Sequence, residues 1–203
     1  MTRPPDILRT ALIPPMAAML LLVTAAAPAA DDPIAAMLSQ PCGACHGTRG
    51  ASQGPTTPII AGLSKEFIVE SMRGFKAGHR PSTVMGGIAK GYSDAQFQAM
   101  GEYFSRQEFT PALQQVDGVL AARGKQVHDR QCKKCHQDNG RDFAFKEAPG
   151  PILAGQWLDY LYNSMREFLG VERDMPQRMG QGILNLRMGD VEALIHFYAG
   201  QNY

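Results

Sequence analysis

Cys42-Gly43-Ala44-Cys45-His46 and Cys132-Lys133-Lys134-Cys135-His136 decide how this chain is read. They hold all four cysteines of the 203 residues, in two Cys-x-x-Cys-His runs offset by 90 positions. Outward from them the correspondence continues. Pro58-Ile59-Ile60-Ala61-Gly62 falls on Pro151-Ile152-Leu153-Ala154-Gly155 at an offset of 93, as do Ser71-Met72-Arg73-Gly74-Phe75 on Ser164-Met165-Arg166-Glu167-Phe168 and Arg80 on Arg173. An offset of 94 then pairs Met85-Gly86 with Met179-Gly180, and Ala99, Tyr103-Phe104 and Gln107 with Ala193, Phe197-Tyr198 and Gln201. Order, chemistry and near-constant spacing make the chain two copies of one module of ~80 to 90 residues. The copies join near residues 108–115.

Each copy reads as helices and loops. Ser64 to Lys76 starts on an N-capping serine and carries Phe67, Ile68, Ser71, Met72 and Phe75 on one side, the spacing of an amphipathic helix. Trp157 to Leu169 repeats it. Closing helices are expected from Ser93-Asp94 and from Gly189-Asp190. A leading helix is expected over Val119 to Gln131 after the turn signal Asp117-Gly118, and a weaker one over Pro33 to Gln40, stopped by Pro41. No run alternates as a strand does. The expected fold class is all-α, with three to four short helices and long Gly- and Pro-rich loops per copy. A module this small has a thin apolar core and needs something to complete it.

Cys-x-x-Cys-His is the attachment signature of c-type haem. Two thiols about one helical turn apart can each add to a vinyl group, and the adjoining histidine is then held against the iron. The competing chemistries fit less well. Cys45 and Cys132 stand 87 positions apart, too far for one zinc site, and two separate sites would each lack a ligand. A thioredoxin-like pair needs a preceding strand, and disulfides within each pair leave both histidines unexplained. The expected cofactors are therefore two covalent haems, at Cys42 and Cys45 and at Cys132 and Cys135, with His46 and His136 as axial ligands. Met85 and Met179 coincide under the repeat, fall in loops between the expected helices, and lie 39 and 43 residues after their histidines. They are the expected sixth ligands, with Met175 competing for the second iron. Met72 and Met165 sit on apolar helix faces as core filler, and His79, His128 and His196 have no repeat counterpart. A carbonyl near Pro58 or Pro151 could accept the proximal histidine's second N–H, and Arg73, Arg80, Arg166 and Arg173 could meet propionates.

Twenty Lys and Arg against 19 Asp and Glu exclude the basic excess of a nucleic-acid-binding protein. Residues 1–30 carry Arg3 and Arg9, an apolar run from Met16 to Val23, and Ala25-Ala26-Ala27-Pro28-Ala29-Ala30. That order is a secretory signal, expected to be cleaved near Ala30 and to leave a periplasmic protein with no stable membrane span. The expected domains are then residues 31–110 and 111–203.

The Cys-x-x-Cys-His start, the Pro-x-x-Ala-Gly loop, the helix and the late methionine make each module resemble class I cytochrome c. Two such modules in one exported chain resemble the dihaem cytochrome c4 family. Residues 42–48 (CGACHGT), 54–62 (GPTTPIIAG) and 80–94 (RPSTVMGGIAKGYSD) are also similar to the cytochrome subunit of flavocytochrome c sulfide dehydrogenase. That resemblance implies an electron-transfer subunit with no activity of its own, a partner flavoprotein carrying FAD that oxidises sulfide, and a downstream cytochrome or oxidase. A free-standing cytochrome c4 shuttle to a terminal oxidase and a dihaem peroxidase are the alternatives. His136 is followed by Gln137 rather than Gly, and the loop to Pro151 is longer than its counterpart.

Overall fold

Asp32 accepts a hydrogen bond from Ile34 N (3.0 Å) and so starts α1 (Pro33–Ser39). The computed structural model describes residue 1 and residues 32–143 and 150–202; the expected export segment and its cleavage position lie outside the described residues. After α1 come α2 (Gly43–His46), α3 (Lys65–Ala77), α4 (Met85–Lys90) and α5 (Asp94–Ser105), and in the second half α6 (Gly118–Val127), α7 (Leu158–Leu169), α8 (Gln177–Leu184) and α9 (Asp190–Ala199). The only strands among the described residues are β1 (His136–Gln137) and β2 (Asp142–Phe143), an antiparallel pair of two residues each. The class is all-α.

Local chemistry sets the helix starts. Ser64 Oγ accepts from Phe67 N, and Ser93 and Gln96 form a reciprocal capping box at the head of α5. Asp117 accepts from both Val119 N and Leu120 N at the head of α6. One expectation is extended and two are corrected. α1 ends at Ser39, ahead of Pro41, but the chain does not leave helical conformation there: Pro41 enters a 3-10 turn at Gln40–Cys42, where its missing N–H costs nothing, and the chain runs on helically through His46. The helix after Asp117 is α only to Val127, then widens into a π turn at His128–Cys132. Met85 and Met179 lie in helices rather than loops. Met85 opens α4, where Ser82 Oγ accepts from Met85 N (2.7 Å), and Met179 lies in α8, where Pro176 O accepts from Met179 N (2.8 Å). The glycines around both methionines made these segments read as loops; the caps hold them helical.

The repeat extends to individual hydrogen bonds. Gly50 O accepts from Ile60 N and Ala61 N, and Gly140 O accepts from Leu153 N and Ala154 N. Phe104 O accepts from Gly62 N (2.9 Å), and Tyr198 O from Gly155 N (2.8 Å). The three-residue change of offset is thus taken up between Gly140 and Leu153, leaving both loop ends anchored alike.

Each half has its own core. In the first, Leu63, Ile68, Met72, Phe97, Met100 and Phe104 pack together; in the second, Val127, Leu161, Leu194, Ile195 and Phe197 do so. Gly124 lets α6 and α9 meet backbone to backbone, because a Cβ there would overlap the Ala193 carbonyl oxygen. Residues Asp31–Tyr203 nonetheless form one compact unit. Gln156, 1% exposed, is the principal tie: its Nε2 donates to Ile59 O and its Oε1 accepts from Ile59 N, both at 2.9 Å. Trp157 Nε1 donates to Ser52 O (3.2 Å), and the indole covers Gly54 so closely that a Cβ there would overlap the ring.

Candidate functional site

In the first half, the 3-10 turn and α2 present Cys42, Cys45 and His46 in sequence. Cys42 and Met85 both pack against the core cluster of Leu63, Met72 and Phe97, while Cys45 is exposed. Desolvation pushes the Cys42 thiol above its ordinary pKa, so the group is held as a neutral thiol. His46 is buried at 9% exposure and its Nδ1 donates to Pro58 O at 2.9 Å. That bond fixes the tautomer and leaves Nε2 with its lone pair. Burial lowers the pKa of His46, and the Pro58 carbonyl works against it.

In the second half, Cys132, Cys135, His136 and Met179 stand on the walls of a single cavity of about 730 Å³. Met175 is not on those walls; its Sδ lies beside Gly180. The His136 imidazole is pushed down to about 4, chiefly by burial and then by His128, so it is neutral, the form in which histidine binds a metal. His128 is itself a core residue, 2% exposed, with its Nδ1 and the Tyr198 hydroxyl 2.9 Å apart. Tyr198 also hydrogen-bonds Cys132. Under the repeat its counterpart is Phe104.

Phe67, Ser71 and Arg80 of the first half line the same cavity, together with Tyr160 and Arg173 of the second. Arg80 lies over the Phe75 ring with 4.5 Å from Cζ to centroid, and Arg173 lies over Phe168 at the same distance. Arg80 donates through Nη1 to Ser71 Oγ (2.7 Å) and through Nη2 to Tyr160 OH (3.2 Å). Burial and then the charge of Arg80 lower the pKa of Arg173, which pairs with Glu167 at 3.6 Å. The four repeated arginines therefore divide. Arg80 and Arg173 converge on the cavity, and Arg73 lines it while forming a surface salt bridge with Asp94 (3.0 Å), whereas Arg166 is exposed and off its walls. His79 is exposed, and His196 Nδ1 accepts from Asp117 N (3.0 Å).

Sequence reasoning missed Tyr160, Gln156 and Glu167. Each stands where the copies differ in polarity, opposite Phe67, Leu63 and Gly74 respectively. A polar residue replacing an apolar or absent side chain in one copy was the available signal.

The cavity suits a haem. Its volume lies within the ~300 to 1,000 Å³ usual for cofactor sites. Its walls include the thiols of Cys132 and Cys135, the neutral imidazole of His136, the thioethers of Met165 and Met179 and the guanidinium groups of Arg73, Arg80, Arg173 and Arg178, which complement a macrocycle with two vinyl groups, an iron and two carboxylates. No helix of the described residues is long and apolar enough to cross a membrane.

No family model matches the chain. A cytochrome c4 of Thiocapsa roseopersicina is 31% identical over 160 residues, covering 74% of this chain and 81% of the relative. The cytochrome subunit of sulfide dehydrogenase of Chlorobaculum tepidum is 46% identical over 68 residues, covering 34% of this chain and 61% of the relative. A thiosulfate dehydrogenase electron acceptor of Thiomonas intermedia is 31% identical over 135 residues, covering 59% of this chain and 58% of the relative. Among solved structures, reduced cytochrome c4 from Pseudomonas stutzeri superposes with a TM-score of 0.72 at 26% identity, covering 83% of this chain and 97% of that one. The paired attachment motifs, the repeated helical halves and these likenesses agree: the chain belongs to the cytochrome c4 family, tandem class I cytochrome c domains that carry two covalent c-type haems and transfer electrons.

Proposed function

We propose that the chain is the periplasmic cytochrome subunit of a flavin-dependent sulfide dehydrogenase, exported by residues 1–30 and folded as domains 31–110 and 111–203. The observation that carries the partner is the 46% identity to a sulfide dehydrogenase cytochrome subunit over 68 residues. In this reading Cys42, Cys45, Cys132 and Cys135 make the thioethers, His46 and Met85 ligate one iron, and His136 and Met179 the other. The common cavity of Cys132, Cys135, His136 and Met179, from which Met175 is excluded, supports the second set. The Pro58 bond to His46 supports the first.

Each haem supplies a one-electron couple. The chain's own residues do the rest. His46 is turned so that Nδ1 bonds Pro58 O, burial keeps His136 unprotonated, and a methionine thioether as the further ligand would close the coordination sphere to substrate and raise the potential. Arg80 and Arg173, both on the cavity walls, would supply countercharge to two carboxylates held there. Thioether ligation by Met85 and Met179 would favour electron transfer over peroxidase chemistry.

The free-standing shuttle remains the second reading, favoured by the longer match to the Thiocapsa cytochrome c4. Isolation from the native periplasm, followed by a flavin and haem count, separates the two. One FAD-containing subunit with two haems per cytochrome chain supports the sulfide dehydrogenase, and a monomer free of flavin overturns it.

A further inference from the structure

The two attachment faces carry opposite chemistry. Residues 118–136, from α6 to the second histidine, hold Arg123, Lys125, Arg130, Lys133 and Lys134 against the single acid Asp129. The matching residues 28–46 hold Asp31 and Asp32 and no cation. Position by position, the five cations replace Pro33, Ala35, Gln40, Gly43 and Ala44. The structure sorts them further. Lys125 is paired with Asp129 (2.6 Å) and Arg123 with Asp190 (2.7 Å). Arg130, Lys133 and Lys134 are exposed and form no salt bridge among the described residues. On the first face the exposed residues are Asp32, Pro33, Ile34 at 60%, Met37 at 63%, Gln40, Pro41, Ala44 and Cys45, a largely apolar surface with one acid and no cation.

Lys133 and Lys134 are the two residues between the attachment cysteines. Thioether bonds from Cys132 and Cys135 tie that turn to the edge of the macrocycle, so a protein seated on these lysines lies a few bonds from the conjugated ring. A cationic rim concentrates an anionic partner and orients it, giving fast, salt-sensitive encounters. The first face, with an exposed acid and no cation, does neither for an anionic partner.

We infer that the surface around Lys133, Lys134 and Arg130 is an electron-exchange face, where a soluble redox protein with an acidic face docks transiently on the second haem. This rests on haem attachment at Cys132 and Cys135, as read above.

The test uses the dihaem holoprotein, reduced, with an oxidised plastocyanin bearing an acidic patch as the probe. Stopped-flow oxidation should be fast at 10 mM salt, on the order of the steered association rates, and fall at least tenfold by about 0.2 M. Lys133→Glu with Lys134→Glu should lower the low-salt rate at least tenfold and flatten the salt dependence, with haem content and both potentials unchanged. Lys133→Gln with Lys134→Gln, and Arg130→Gln alone, should show smaller losses in the same direction and stand in if charge reversal impairs haem attachment. Unchanged rates in these variants overturn the inference. So does loss of binding to phosphatidylglycerol vesicles with the plastocyanin rate intact, which would assign the face to a membrane. Haem retention in Cys132→Ala would instead overturn the attachment reading, and the pyridine haemochrome count detects it separately.

Discussion

Two methionines four residues apart behave differently because only one reaches the cavity. Met179 is on its wall, while Met175 packs beside Gly180. Met179→Ala should abolish one thioether-to-iron absorption band and lower one potential by about 0.1 V or more, within the ~0.8 V range that axial ligands span. Met175→Ala should leave band and potentials as they are, and the reverse pattern would exchange the assignments. Asp190 offers a second test at this scale. Arg187 N donates to its Oδ2 (3.0 Å) and Arg123 Nη2 to its Oδ1 (2.7 Å), holding the carboxyl below the ordinary aspartate pKa. A depressed pKa gives stability that is present above the unfolded value near 3.9 and is lost as pH falls through the folded value. Asp190→Asn should therefore cost ~1 kcal/mol at pH 7, a difference that shrinks as pH falls through the folded value. Parallel thermal melts of the two holoproteins from pH 7 to 2 would show the gap closing; a constant gap would mean that the charge contributes nothing.

Helices differed in how far sequence alone could place them, and the reason is what stabilises each. α3 and α7 carry their apolar residues at i, i+4 and i+8, so the period is written in the chain. α4 and α8 are short, contain glycine at Gly86, Gly87, Gly180 and Gly182, and depend on Ser82 and Pro176 to satisfy their first N–H groups. Nothing periodic announces them. The cysteines and histidines of the site were legible because their chemistry imposes a linear spacing, whereas the arginines were only half legible. Repetition singled out four, but that Arg73, Arg80 and Arg173 line the cavity and Arg166 does not depends on how α3 and α7 face each other. The pairing of α6 with α9 is likewise set by one small residue whose partner lies far along the chain. Gly124→Ala should push these helices apart at the Ala193 carbonyl and cost on the order of 3 kcal/mol, mostly from overpacking. Chemical denaturation of the holoprotein would read this as a lower midpoint with the slope kept, and an unshifted midpoint would contradict the backbone contact.

At the scale of the whole molecule, two repeated halves could have been independent beads, since each has its own core. The ties between them argue otherwise. Gln156 serves both backbone groups of Ile59 from 97 residues away, and Tyr160 accepts from Arg80 across 80 residues, beside the cavity whose walls both halves supply. These contacts were invisible to any local reading, because no periodicity links residues so far apart. They also set cooperativity. Where the interface is buried and hydrogen-bonded, two halves unfold as one unit; where it is weak, they separate. Gln156→Ala leaves the Ile59 N–H and C=O without their partner, at about 1–3 kcal/mol for each buried group. That loss falls on the interface and on neither core. The holoprotein should therefore melt in one calorimetric transition whose van't Hoff and calorimetric enthalpies agree, and Gln156→Ala should broaden or split it rather than merely shift it. A single sharp transition at lower temperature in the variant would show instead that the halves are coupled mainly through the shared walls of the haem cavity.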